Sequence, residues 1–230
     1  MNKKIAVLGT GANGSCLAAD LTNAGLDVVL IDQWPAHVEA MRANGLHVTL
    51  RQGEIHAKVR AHHLCDLASM NAMFDLVFIV TKAYDTRWHA ELIKPYLKDD
   101  GFLIGMQNAM TAEIIADVVG PSRTLGCVPE LSSYCFVPGQ IKRNTAPDRT
   151  WFALGSFHPS TEGRIEEVAA VLRHADVVGV SVERLFQAVQ IHRRNREFPI
   201  PPKRRHHGVA CCQKLLRFQV LEPRSGFDHF

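Results

Sequence analysis

No apolar run in this 230-residue chain approaches the ~20 residues that a membrane-spanning helix needs, so no membrane segment is expected. The N-terminus places Lys3 and Lys4 before apolar residues, but glycines from Gly9 to Gly14 interrupt the run too early for a signal peptide. There is no C-x-x-C pair. Without one, the six cysteines (16, 65, 127, 135, 211 and 212) read as reduced thiols of a cytoplasmic protein, mostly core filler. The twelve histidines form no H-E-x-x-H array, and His62-His63 and His206-His207 are adjacent rather than i,i+4 pairs. Surface histidines and no metal site are therefore expected. No internal repeat is visible, which leaves one or two ordinary globular domains with a sizeable core.

The net charge of +3 conceals an asymmetry. Residues 183–230 hold 10 of the 26 Lys and Arg but only 4 of the 23 Asp and Glu, so this segment carries +6 and residues 1–182 carry −3. The composition break divides the chain into a body over 1–182 and a basic C-terminal extension over 183–230, expected to be irregular.

What the body does contain is a strand-turn-helix-strand unit at its start. Ile5 to Leu8 is long enough for a buried strand and ends in Gly9-Thr10-Gly11-Ala12-Asn13-Gly14, a G-x-G-x-x-G loop. A helical pattern follows, with Leu17, Ala18 and Leu21 on one face and Gly25 as its stop. A second apolar run, Val28 to Ile31, ends in Asp32. Gly9 permits the tight turn, Gly11 lets a pyrophosphate approach the backbone, and Gly14 allows close packing of helix on sheet. The free N–H groups of the helix start then face the phosphates. The competing reading is a structural turn in some other α/β protein.

Further on, Pro35 to Asn44 reads as a helix and Leu46 to Leu50 with Ile55 to Val59 as a hairpin around Gln52-Gly53. Asp75 to Val80 and Phe102 to Met106 are apolar runs suited to central parallel strands. Helices are expected over Thr86 to Leu97, interrupted by Pro95, and over Thr111 to Val119, with a strand over Thr124 to Val128. Tyr134 to Val137 and Gln140 to Arg143 suggest a strand, turn and strand around Pro138-Gly139, followed by a strand over Trp151 to Leu154. Ser160 or Thr161 caps a helix carrying Ile165, Val168, Ala169 and Leu172, and Asp176 to Val180 is a last short strand. The fold class is α/β, a Rossmann-type, mostly parallel sheet with helices on both faces. The glycine loop, Asp32, Lys82 and Asn108 all fall at strand carboxyl ends, where ligands bind in such sheets.

The stretches GTGANG (9–14), VTKAYDT (80–86), MQNAM (106–110), PGQIKR (138–143) and WFALG (151–155) come in the order seen in ketopantoate reductases. Over about residues 3–182 the chain resembles this 2-dehydropantoate 2-reductase family. The resemblance implies NADPH-dependent reduction of a 2-keto acid to a 2-hydroxy acid, a step of pantothenate biosynthesis, in a cytoplasmic enzyme. It places Lys82 near the cofactor and Asn108 against nicotinamide and substrate. The plainer alternatives are a solvated lysine at a helix start and a turn residue after a strand. Ala109 replaces the usual glycine of the Q-N-G motif and would strain the turn if that position had a positive φ.

Two departures stand out. Many family members carry a basic residue after the second strand, suited to the 2′-phosphate of NADP. Here the segment is Ile31-Asp32-Gln33-Trp34, and a carboxylate favours the ribose hydroxyls of NAD. The residues thus favour NAD and the family NADP, with Arg42 within reach of a phosphate from the next helix. Secondly, the family's helical C-terminal domain and its general-acid lysine, in a W-x-K-x-x-x-N-like signature, are not found after Val182. The tail reads as a frame-shifted or truncated product, as a divergent segment in which Gly208 to Val220 forms a helix with Lys214 as replacement acid, or as a basic nucleic-acid arm through RRNR (193–196) and KRR (203–205). Short basic runs are ordinarily solvated and no nucleic-acid fold motif accompanies these, so the arm is least favoured. The expected partner is a small 2-keto acid. The main function reading is an NAD(P)-dependent oxidoreductase, and its rival is a catalytically inactive dinucleotide-binding module. A sheet without its helical cover also favours homo-oligomerisation.

Overall fold

The apolar runs become strands because the sheet they build is covered on both faces. The computed structural model describes residues 3–156, 158–175 and 178–181. In chain order the elements are β1 (Lys4–Leu8), α1 (Ala12–Asn23), β2 (Asp27–Asp32), α2 (Pro35–Asn44), β3 (Leu46–Thr49), β4 (Glu54–Ala57), β5 (Ala61–His63) and β6 (Phe74–Ile79). They continue with α3 (Thr86–Ile93), β7 (Leu97–Met106), α4 (Ala112–Val119), β8 (Thr124–Glu130), β9 (Ser133–Val137), β10 (Gln140–Arg143), β11 (Trp151–Ser156), α5 (Ile165–His174) and β12 (Val178–Ser181).

The main sheet has the order β12-β11-β8-β7-β6-β1-β2-β5. Its six strands from β8 to β5 are parallel, in the doubly wound order of a Rossmann fold. β11 runs antiparallel to β8 and carries β12 parallel to itself. Alternate residues along each strand enter separate cores. Ile5, Val7, Val28, Leu30, Leu76 and Phe78 pack with Leu17 and Leu21 of α1, Met41 of α2 and Leu172 of α5. Ala6, Leu8, Val29, Ile31, Val77 and Ile79 pack with Ile93 of α3 and Ile115 of α4. Burial on both sides explains why these strands read as unbroken apolar runs rather than alternating ones.

Several boundaries differ from the sequence reading. The third helix stops at Ile93, because Pro95 has no N–H to continue it, and Lys94–Tyr96 tightens into a 3-10 turn. Leu97 is already in β7. β5 has no apolar run of its own and was not expected. It forms because the edge of β2 has backbone groups to satisfy, with Leu30, Ile31 and Asp32 opposite Ala61, His62 and His63. The two expected hairpins also join. β3 pairs with β10 in parallel, giving a second sheet of order β4-β3-β10-β9. This sheet is tied to α1 by Ser133 Oγ donating to Asn13 Oδ1 at 2.6 Å, by the Arg143–Asp20 ion pair, and by Asn23 Nδ2 donating to the His56 carbonyl at 3.1 Å. Among the described residues no helix is long and apolar enough to cross a membrane.

Candidate functional site

The strand register places the loops of interest at one level. Leu8 lies opposite both Ile31 and Ile79, Ile79 opposite Gly105, and Gly105 opposite Gly126. The glycine loop, Asp32, Thr81-Lys82 and Gln107-Asn108 therefore all lie at or just beyond the same sheet edge. β1 is the strand from which the order runs outward in both directions. Its carboxyl end opens the crevice where ligands bind in such sheets.

Each loop glycine meets a distinct constraint. Gly9 has φ +87°, and a Cβ there would lie 2.3 Å from Thr81 Cγ2. A Cβ on Gly14 would lie 2.2 Å from the Gly9 carbonyl oxygen, so only glycine lets α1 start this close to the turn. Gly11 is different: it is exposed, and a Cβ there would meet nothing within 4 Å. It is also the N-cap of α1, with no side-chain cap bond and no acidic residue in the first turn. Ser15 N–H donates back to the Gly11 carbonyl at 2.9 Å, but the first-turn N–H groups before it have no partner within the helix. Ala12 and Asn13, both partly exposed, occupy that first turn. This is an open positive helix end beside backbone with no side chain, a fit for a pyrophosphate.

A buried brace holds the loop. The Thr10 carbonyl accepts from Ser15 Oγ at 2.6 Å and from His37 Nε2 at 2.8 Å. His37 Nδ1 accepts from the Gly139 N–H at 2.9 Å, which sets the Nε2–H tautomer. His37 is fully buried and stacks on Trp34. It thus joins the glycine loop to the β9–β10 turn, a role no linear motif announces. Asp32 is 6% exposed; its Oδ1 accepts from the Trp34 N–H at 2.8 Å and its Oδ2 from Thr10 Oγ1 at 3.2 Å. Arg42 is committed elsewhere. Its guanidinium donates to the Ala61 carbonyl and pairs with Glu39 and Asp66.

Lys82 and Asn108 are both exposed on the loops after the neighbouring strands β6 and β7. Between those loops lies Gln107, buried, whose role the sequence does not announce. Its Nε2 donates to the Thr81 carbonyl at 2.8 Å and to Thr86 Oγ1 at 2.9 Å, clamping one loop to the other. The Thr81 hydroxyl, buried beside Gly9, has no hydrogen-bond partner among the described residues. Asn71 is the sole non-glycine with positive φ among them, so Ala109 brings no backbone strain. Lys214, the basic runs 193–196 and 203–205, and the segment 208–220 lie outside the described residues.

His89, in α3, is 1% exposed and stacks on Trp88. Burial pulls it below the ordinary histidine range, against the Asp85 carbonyl, which its Nδ1–H reaches at 3.0 Å. The unfolded chain therefore takes up this proton first. Stability is full above ~6.5 and falls as pH drops through that value towards the folded one. Urea midpoints measured between about pH 7.5 and 5.5 should fall for the wild type and flatten in His89→Asn. A slope in the variant equal to that of the wild type would show that His89 binds its proton equally in the folded and unfolded states.

The description "Ketopantoate reductase PanE/ApbA" belongs to a family model that matches residues 5–156. The 2-dehydropantoate 2-reductase of Pyrococcus abyssi is 30% identical over 176 residues, covering 76% of this chain and 54% of the relative. That of Nostoc is 27% identical over 187 residues, covering 80% and 56%. The crystal structure of a 2-dehydropantoate 2-reductase homologue from Enterococcus faecalis superposes with a TM-score of 0.73 at 27% identity, over 80% of this chain and 58% of that one. The chain spans little more than half the length of these relatives. With two thirds of its residues matched, and the glycine loop, the crevice and both connecting hairpins inside the match, the chain belongs to the ketopantoate reductase PanE/ApbA family.

Proposed function

We propose that this chain forms the dinucleotide-binding part of a nicotinamide-dependent reductase that converts a 2-keto acid of the 2-dehydropantoate type to a 2-hydroxy acid. The observation that carries this reading is the open space at Gly11 in front of the uncapped start of α1. There the backbone N–H groups of the first turn hold the pyrophosphate. Thr10, locked by Ser15 and His37, keeps the loop in the geometry that exposes them. When bound, the nicotinamide supplies the hydride for the keto carbon. Asn108, on the loop after β7, orients the keto acid, and Lys82, on the neighbouring loop, neutralises negative charge there. Gln107 holds these two loops together.

NAD is the proposed cofactor form. Asp32 ends β2, and Gln33, Trp34, Pro35 and Ala36 after it include no base. The nearest arginine, Arg42, already has two carboxylate partners. Asp32 uses one lone pair on each oxygen within the chain, and a carboxylate retains capacity for a ribose hydroxyl. Replacing Asp32→Ala together with Gln33→Arg should raise the NADPH-to-NADH affinity ratio by about tenfold or more, ~1.4 kcal/mol. An unaltered ratio in paired titrations would mean that Asp32 serves only as the loop brace.

A second reading is a binding module without turnover, favoured by the family's general-acid lysine having no counterpart in the sequence after Val182. Loss of a general acid removes a factor of ~10²–10⁴ in rate. Titration of the full chain with NADH, followed by 2-dehydropantoate while the nicotinamide absorbance is followed, separates the two. Consumption of NADH supports the reductase. Binding without consumption leaves only the module, and absence of binding sinks both.

A further inference from the structure

The outer face of the small sheet carries two imidazoles and a carboxylate that the chain brings together from two strands. β3 and β4 are antiparallel, with His47 directly opposite His56 and Thr49 opposite Glu54. Residues two apart on a strand share a face, so Glu54, His56 and His47 all project from one side. Leu46, Val48 and Ala57 alternate with them and are buried on the other side. The imidazole rings are 4.1 Å apart, and both Nε2 atoms converge on one oxygen, Glu54 Oε2, at 3.0 Å from His47 and 3.3 Å from His56. All three donor atoms lie within 4.8 Å of one another.

From this convergence we propose a transition-metal site, His47-Glu54-His56, for a divalent cation of the zinc class on the β3–β4 hairpin. The donor set decides the class. Two neutral imidazoles with one carboxylate suit Zn²⁺, Co²⁺, Ni²⁺ or Cu²⁺, whereas Mg²⁺ and Ca²⁺ favour all-oxygen shells. Ligand distances of ~2.0–2.2 Å to a tetrahedral ion leave its ligand atoms about 3.3 Å apart, close to the 3.0 and 3.3 Å that separate Glu54 Oε2 from the two Nε2 atoms. Little rearrangement is needed beyond side-chain rotation, because the backbone is pinned. β3 is paired on both sides, the His47 N–H donates to the Gly139 carbonyl at 3.0 Å, and the His56 carbonyl accepts from Asn23 Nδ2 at 3.1 Å. Side-chain exposures of 40%, 53% and 66% for His47, Glu54 and His56 give a cation free access and leave its fourth position to water. The site is independent of the dinucleotide reading.

The test is metal titration of the full chain after chelator treatment, using Co²⁺ for its absorption spectrum and Zn²⁺ in competition. The wild type should bind about one equivalent more than either His47→Ala or His56→Ala, and Glu54→Gln should bind that equivalent at least tenfold more weakly. The lost equivalent should lack the thiolate-to-cobalt band that a cysteine site would show. His56 is the more exposed histidine, so His56→Ala decides if His47→Ala does not fold. Equal stoichiometry and affinity in wild type and His56→Ala, or no metal uptake by the wild type, would overturn the site.

Discussion

Replacing Gly11 by valine should abolish NADH binding while leaving the thermal midpoint of the chain unchanged. A Cβ at this position meets nothing within 4 Å, and Gly11 has φ −60°, outside the left-handed region. Folding therefore meets no clash. The same space is the approach of a pyrophosphate to the start of α1, and a branched side chain there separates the phosphates from the N–H groups. Loss of several charge-assisted hydrogen bonds weakens binding by about 100-fold or more, ~3 kcal/mol. Gly14→Ala is the contrasting control. Its Cβ would lie 2.2 Å from the Gly9 carbonyl oxygen, so both midpoint and affinity should drop. Calorimetric titration with NADH beside thermal unfolding reads both quantities. Wild-type affinity in a folded Gly11→Val chain would remove the dinucleotide site from this loop.

Asp20→Ala should destabilise the chain by about 3–5 kcal/mol, because it leaves a buried guanidinium without its counter-ion. The Arg143 side chain is 1% exposed. Its NH1 donates to Asp20 Oδ1 at 3.0 Å and to Oδ2 at 2.9 Å, its Nε to the Thr145 carbonyl and its NH2 to Thr150 Oγ1 at 2.8 Å. Burial pushes the Asp20 carboxyl above its ordinary range, against the opposing pull of Arg143, which shows how much desolvation this pair bears. For a chain of this size the thermal midpoint should fall by ~6–20 °C. Replacing both partners with apolar residues, Asp20→Leu with Arg143→Met, should restore most of the loss, since no buried charge then remains. Equal losses in the single and double variants would show that the pair acts through shape alone.

The β-α-β start was legible because local chemistry and global packing agree there. Gly9, Gly11 and Gly14 announce the turn, Ile5 to Leu8 and Val28 to Ile31 the buried strands, and Asp32 the strand end. The family resemblance rested on the glycine loop and on four further short stretches between Val80 and Gly155, and the family match over residues 5–156 bears it out. β5 escaped because three residues, Ala61–His63, carry no pattern of their own. Gln107 escaped because it was read as a neighbour of Asn108 and not as a clamp, and His37 because its partners come from residues 10, 15 and 139. His47 and His56 share no helical spacing and meet only across a hairpin, so no linear motif pairs them.

What the sequence alone determined is the order of strands and helices apart from β5, the glycine loop and the polar residues at strand ends. These follow from side-chain period, φ preference and burial over a few residues, all of which are local. What only the tertiary structure decided is pairing: the antiparallel β11, the joining of two hairpins into one sheet through β3 and β10, and the His37, Gln107 and Arg143 bonds that follow. Pairing depends on which distant backbone edge and which buried partner remain unsatisfied once the core has closed, and no residue carries that information by itself.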